Sequence, residues 1–340
     1  MTDRPIFVVG FQRSGTTLLQ SLLGNHPRIA APPEVHFFFR VYDLRDYWGD
    51  LQDDERARAV LQELVHGAGS LLTDCGFDLD ALVRRFAATD HSYAALLTAL
   101  LDDFAARNGK VRWSEKTPHQ RPAQVWSLLP DAQVVHIVRD PREVVASAVA
   151  AWPQGEPAWL LAERWRAFVT AADRDGQEAG GTAYLRVRYE DLAASPEAVL
   201  RQTCTFLGED YVDTMLDAGG DRATAVAVRH AWQREAGHSV RPPRALFTER
   251  LSWHERVLVS SAVRGAVRWF GYPPAPRGSR ALAAVLAPTR VPGQLQQRRL
   301  ARTAQAAQTP EQRHALVQRF IADRQRMHGA TAPAAGERQA

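Results

Sequence analysis

The chain has 340 residues, 45% of them apolar and 24% charged, which is enough apolar material for a sizeable core and excludes a mainly disordered polypeptide. Its formal charge of +4 is unevenly spread: residues 277–340 hold 11 Arg against Glu311, Asp323 and Glu337, while residues 1–276 hold 31 basic against 35 acidic residues. A body that is not basic argues against nucleic-acid binding as the main function, and two cysteines, Cys75 and Cys204, exclude a disulfide framework or a cysteine-built metal cage.

No apolar run approaches the roughly 18–20 residues that a membrane helix needs, so no transmembrane segment is predicted. Ile6–Gly10 is too short for the core of a secretory signal and runs straight into Gln12 and Arg13. The expectation is a cytoplasmic protein. Oligomeric state leaves no trace in the sequence.

In chain order, Ile6-Phe7-Val8-Val9-Gly10 has the β-branched, continuously apolar character of a buried parallel strand. Phe11–Gly15 then forms a loop, and Thr16–Leu23 a helix stopped by Gly24-Asn25-His26-Pro27. Helices are predicted over 54–66, 78–88 and 92–107, and a strand over Val111–Ser114. A buried strand follows at Val134–Val138, with Arg139-Asp140-Pro141 leading into a helix to Trp152; Pro141 suits its first turn. Next come a helix over 157–179, a strand at Tyr184–Arg188, and helices over 196–207 and 252–270. Strands alternating with helices predict an α/β fold of three layers, a parallel sheet with helices on both faces. Pro273-Pro274-Ala275-Pro276 ends a domain of residues 1–276, and 277–340 is predicted as an Arg-rich extension, helical over 281–287 and 294–326 and partly disordered.

Gly10-Phe11-Gln12-Arg13-Ser14-Gly15-Thr16-Thr17 has the glycine spacing of a phosphate-binding loop. Its amides converge on an anion, the helix from Thr16 adds its positive end, and Ser14, Thr16 and Thr17 add hydroxyl donors. A nucleoside-triphosphate loop would place Lys where Thr16 stands; here the fixed charge is Arg13 instead.

With Arg13-Ser14-Gly15-Thr16-Thr17 after the first strand, and Arg139-Asp140-Pro141 followed by Ser147 after a later one, the sequence resembles the sulfotransferases that use 3′-phosphoadenosine 5′-phosphosulfate. The resemblance covers about residues 4–272 and thins over 40–105 and after 215. It implies a P-loop nucleotide-kinase-like fold with that nucleotide as co-substrate and no metal. It further implies that Arg13, Ser14, Gly15, Thr16 and Thr17 hold the 5′-phosphosulfate and that Arg139 and Ser147 hold the 3′-phosphate. Tyr189, in Arg188-Tyr189-Glu190-Asp191-Leu192, would contact the nucleotide.

Glu115-Lys116-Thr117-Pro118 is similar to a stretch of the tyrosyl-protein and carbohydrate branch, which makes Lys116 the cation on the leaving group beside Arg13. The same branch carries a Glu shortly after the first helix as general base, here Glu34 in Pro32-Pro33-Glu34-Val35-His36. His36 is the second choice for the base and His119 a further rival, while His136, in mid-strand, reads as a core residue. In the family a loop near the Arg-rich segment 222–250 closes over the nucleotide; individual contacts from Arg229, Arg234, Arg241, Arg244 or Arg250 are not assignable.

The acceptor is a hydroxyl on a small molecule, carbohydrate, lipid or peptide, and Phe37, Phe38, Phe39, Tyr42, Tyr47 and Trp48 form either an apolar wall for it or simply a core. Two alternatives compete. One is a P-loop kinase or nucleotide hydrolase with Asp140 as a magnesium carboxylate. The other is a non-catalytic module that binds anions through the basic extension.

Overall fold

A computed structural model of the protein describes residues 4–152, 155–217, 246–274, 279–285 and 309–329. In chain order β1 (Ile6–Val9) leads into α1 (Thr16–Gly24) and the two-residue β2 (Ile29–Ala30). The helices α2 (Phe37–Arg40), α3 (Arg45–Trp48), α4 (Asp54–His66), α5 (Leu79–Phe86) and α6 (Tyr93–Arg107) precede β3 (Arg112–Lys116). Then come α7 (Pro122–Leu128), β4 (Gln133–Val138), α8 (Pro141–Ala151), α9 (Ala158–Ala179), β5 (Tyr184–Arg188), α10 (Tyr189–Ala194) and α11 (Pro196–Leu207). The remaining described helices are α12 (Leu246–Arg250), α13 (Trp253–Ala262), α14 (Arg264–Trp269), α15 (Ser279–Val285) and α16 (Pro310–Gly329). The expected elements are found, with 252–270 broken at Val263 into two helices, and the unpredicted β2, α2, α3, α7 and α10 are added.

The chain divides into two compact units, Met1–Glu34 with Leu101–Arg298 and Val35–Leu100 with Arg299–Ala340. The first contains one five-stranded parallel sheet in the order β2-β3-β1-β4-β5. β1 is central, with Val8 opposite Lys116 of β3 on one side and Val135 of β4 on the other. Its four residues are all fully buried, as a strand covered on both faces requires.

Alternation along the strands supplies both faces. Ile6, Val8, Val135, Ile137 and Val187 pack with Leu19, Leu23, Leu200 and Leu207 of α1 and α11 on one side. Val138 packs on the other with Val144, Val145, Trp165, Val169, Val259 and Phe270 from α8, α9, α13 and α14. The result is the expected three-layer α/β arrangement. Chain winding away from β1 in both directions creates a crevice at the strands' carboxyl ends, where α/β sheets bind ligands.

In the second unit, α4 buries Ala57, Val60, Leu61, Leu64 and Val65 along one face and is capped by the Asp53 carboxylate, which accepts from the Glu55 amide. Phe37 and Phe38 are core residues of this unit. The C-terminal helix α16 belongs to it: His314 stacks on Tyr47 at 4.0 Å, Arg313 pairs with Asp46, and Gln318 Nε2 donates to Glu63 Oε1 at 3.0 Å. Arg40, almost fully buried, donates to the same Glu63 oxygen at 3.0 Å. Of the extension's predicted helices, 281–287 is found as 279–285 and the 294–326 prediction as 310–329; residues 286–308 lie outside the described residues.

Candidate functional site

The loop from β1 to α1 turns by placing Arg13 and Gly15 in the left-handed region, at φ of 66° and 99°. Glycine at 15 is required twice over. A side chain would be strained at that φ, and a Cβ there would lie 2.5 Å from Cδ2 of Tyr189. Gly15 is also the N-cap of α1, which has no side-chain cap and no acidic residue in its first turn. The helix's positive end is therefore left for an anion.

Ser14 is fully buried within this loop and its Oγ has no hydrogen-bond partner among the described residues. Buried polar atoms are almost always satisfied, so an orphan hydroxyl in an anion-binding turn points to a ligand group. Arg139 repeats the pattern at the carboxyl end of β4. Its guanidinium lies 4.3 Å over the Tyr189 ring, Nη1 donates to the Arg13 carbonyl at 3.1 Å, and Nε is buried without a partner among the described residues. Arg13 Nε in turn donates to Ser147 Oγ at 3.0 Å, and its guanidinium faces the Trp152 ring at 5.7 Å. Arg13, Ser14, Gly15, Arg139, Ser147 and Tyr189, scattered over the sequence, thus meet at one point. These residues fit a nucleotide carrying phosphates at both ends: an amide cradle, two guanidinium groups and an unpaired hydroxyl converge with an aromatic ring alongside.

On the other side of β1, Lys116 ends β3. It is 4% exposed, and its Nζ lies 2.8 Å from Glu34 Oε2 and 3.4 Å from Thr17 Oγ1. Glu34, the more open partner with 17% of its side chain exposed, is held indirectly. Gln20 of α1 donates through Nε2 to the Pro32 carbonyl at 3.0 Å and to the Ser114 carbonyl at 2.8 Å, tying the Glu34 loop to β3. Thr17, Lys116 and Glu34 therefore form a chain from the phosphate loop to a carboxylate. The paired Lys116 is not a surface group, and its partner is Glu34 rather than neighbouring Glu115.

The histidines sit differently. His36, in the second unit, adopts φ of 60° and meets the Phe39 ring edge-on at 5.2 Å. His119 is exposed just beyond β3; its amide donates to the Gly10 carbonyl at 3.1 Å and its ring meets Phe11. His136 is fully buried, with Nδ1 2.6 Å from the Tyr184 hydroxyl, and burial lowers its pKa to about 4. It is a core residue, as expected.

Asp140 is committed locally. Its Oδ1 accepts from the Arg142 amide and side chain, and its Oδ2 from Arg142 Nη2, so it caps α8. Beside it, Glu143 accepts from the Leu246 and Phe247 amides at 3.0 and 3.2 Å, fixing the start of α12. Arg250 lies exposed at the end of that helix; Arg229, Arg234, Arg241 and Arg244 lie outside the described residues.

Sequence patterns did not single out Gln20, Trp152, Glu143 or Glu190. Gln20 alone left a signal there, as an amide standing where the apolar face of α1 calls for an aliphatic residue.

A family model described as the sulfotransferase family matches residues 5–213. Protein-tyrosine sulfotransferase 2 of Gallus gallus is 26% identical over 220 residues, covering 62% of this chain and 53% of its own. Nodulation protein NoeE of Sinorhizobium fredii is 26% identical over 230 residues, covering 60% and 50%. The chain thus spans about half the length of these curated relatives. Among solved structures, the sulfotransferase domain of the Synechococcus PCC 7002 olefin synthase superposes with a TM-score of 0.51 at 24% identity, over 80% of this chain and 96% of that one, which is a likeness of fold.

Proposed function

The chain belongs to the sulfotransferase family, and on that premise we propose that it moves a sulfuryl group from 3′-phosphoadenosine 5′-phosphosulfate to an acceptor hydroxyl. When bound, the nucleotide supplies a sulfuryl group on a phosphate leaving oxygen. In this reading the amides of Gly15, Thr16 and Thr17, with Ser14 and Arg13, hold the 5′ end, and Arg139 and Ser147 hold the 3′-phosphate. Tyr189 flanks the nucleotide under the Arg139 guanidinium. Lys116 faces the leaving oxygen, where a fixed cation stabilises charge as it develops. Glu34 accepts the acceptor's proton, and the acceptor is an alcohol or phenol. With only two cysteines the chain has no disulfide framework, and we place the protein in the cytoplasm.

The observation that carries the reading is the chain Thr17 Oγ1, Lys116 Nζ, Glu34 Oε2, which joins a phosphate-type loop to a carboxylate through one buried cation. Positioning and electrostatics supply most of the acceleration in this kind of group transfer. A magnesium-dependent kinase is disfavoured because both Asp140 oxygens are engaged by Arg142 and Thr16 stands where that loop needs Lys.

Calorimetric titration of the purified protein with 3′-phosphoadenosine 5′-phosphate, adenosine 5′-phosphate and magnesium-ATP tests the donor site. The expected result is bisphosphate binding that is lost without the 3′-phosphate and indifferent to magnesium. Preference for magnesium-ATP would overturn the reading.

A further inference from the structure

Arg139, placed against the 3′-phosphate, and Tyr189, placed beside the nucleotide, both neighbour one carboxylate. Glu190 follows Tyr189, and its Oε1 accepts from the amide of Asp140, which follows Arg139, at 2.9 Å. Its second oxygen, Oε2, accepts from the hydroxyl of Tyr272 at 3.0 Å. Glu190 is thus the common partner of the β4 end, the α10 start and a residue 82 positions further along the chain.

Tyr272 is delivered there by the end of α14. Gly271, at φ of 72°, reverses the chain, and the Tyr272 amide donates to the Val267 carbonyl at 2.7 Å. The Tyr272 side chain is buried in the core formed by α8, α9, α13 and α14, so its position is set by that core. The Arg188 guanidinium covers the Tyr272 ring at 4.8 Å. Burial and the adjacent Glu190 carboxylate hold the phenol well above its ordinary pKa, so it remains a hydrogen-bond donor across the working pH range.

We propose that Tyr272 and Glu190 form a latch that positions Arg139 for the 3′-phosphate and Tyr189 alongside the nucleotide, which makes Tyr272 and Glu190 positioning residues. The inference rests on the nucleotide reading above. Its physical basis is leverage: among the described residues the Arg139 side chain has one hydrogen bond, to the Arg13 carbonyl, and a stacking contact with Tyr189. Neither fixes the backbone on which Arg139 stands. The Glu190 carboxylate does, by holding the next amide, while its own backbone carries Tyr189. Releasing the carboxylate from Tyr272 lets both drift together, and the phosphate would then meet a guanidinium out of register.

The test compares the full chain with Tyr272→Phe, Glu190→Gln and Glu190→Ala, each titrated with 3′-phosphoadenosine 5′-phosphate and with adenosine 5′-phosphate, thermal midpoints being recorded alongside. In the parent the ratio of the two affinities measures what the 3′-phosphate contributes. Tyr272→Phe removes one oxygen and leaves the core contact; it should lower that ratio about three- to tenfold, the effect of one lost hydrogen bond, through the bisphosphate alone. Glu190→Gln keeps an acceptor for the Asp140 amide and should fall between the parent and Glu190→Ala. An unchanged ratio in folded Tyr272→Phe overturns the latch. So does an equal loss for both nucleotides in step with the thermal midpoint, which is what a merely structural role produces. Should Glu190→Ala fail to fold, Tyr272→Phe still decides. A parent without any preference for the bisphosphate would instead remove the nucleotide reading itself.

Discussion

At the end of β4, Arg139 is stacked on Tyr189 with a buried Nε that has no partner among the described residues, whereas at the end of β3 Lys116 is already ion-paired with Glu34 at 2.8 Å. The two strands lie on either side of β1 and feed the same crevice. On the proposed function, the difference separates holding an anion from handling a proton. A buried guanidinium with one N–H left over among the described residues suits a ligand's fixed charge in the proposed reading, and Arg brings a planar fork that suits phosphate. In the proposed reading the lysine orients the carboxylate that serves as base and supplies the point charge for the leaving oxygen.

The comparison predicts that changes at the two strand ends damage different steps. The largest effect is expected at β3. Glu34→Gln should lower kcat by about a hundredfold or more, the usual contribution of a general base, while donor affinity stays within about twofold. Lys116→Met should lower kcat by about 100–1000-fold, as removal of an electrostatic stabiliser does. Pre-steady-state turnover beside equilibrium titration checks both, and a loss confined to donor affinity would merge the two strand ends into one binding site. Next in size, Arg139→Ala should weaken the bisphosphate nucleotide by about 10–100-fold, the scale of lost charge-assisted hydrogen bonds, with Arg139→Lys recovering part of it. Turnover at saturating donor should barely change, and a fall there would blur the contrast.

Smaller is the effect of Gly15→Ala, which forces a side chain into φ of 99° against Tyr189. It should cost roughly 1–2 kcal/mol of stability, read from denaturant unfolding, and should loosen the donor through the cradle. A last effect, seen only in acid, lies beneath the site. Burial keeps His136 neutral by lowering its pKa from 6.5 to about 4, so the unfolded chain binds the extra proton across that interval. Stability should therefore decline as pH falls from about 6.5 towards about 4, and His136→Asn should flatten that part of the profile. A parent profile without the acid slope would show that the imidazole is charged in the fold.

Much of this was legible beforehand because it is local. Gly10–Thr17 is one contiguous stretch, and a buried strand followed by a glycine turn and a helix start places its own amides on an anion. Arg139-Asp140-Pro141 likewise carries its strand end and helix cap within three residues. Lys116 and Glu34 were each visible, but not that they touch, since they are brought together by β3 and by the Gln20 bonds that hold the Pro32 carbonyl. Nor was β2 visible: two residues, Ile29 and Ala30, have no periodicity of their own and become a strand only beside Arg112 and Trp113. The Arg-rich extension read as a separate tail because composition is blind to partners. Its α16 joins the 35–100 segment through His314 on Tyr47 and Arg313 on Asp46, pairs 267 residues apart in both cases.

By itself the sequence determined the alternation of strands and helices, the phosphate loop and the two arginines that mark it, since hydrophobic periodicity and turn chemistry act between near neighbours. Only the tertiary structure decided which charges meet. It gave Arg13 to Ser147, Lys116 to Glu34 and Glu190 to Tyr272, because ion pairs and hydrogen bonds operate over about 3 Å and depend on a register that no stretch of sequence encodes alone.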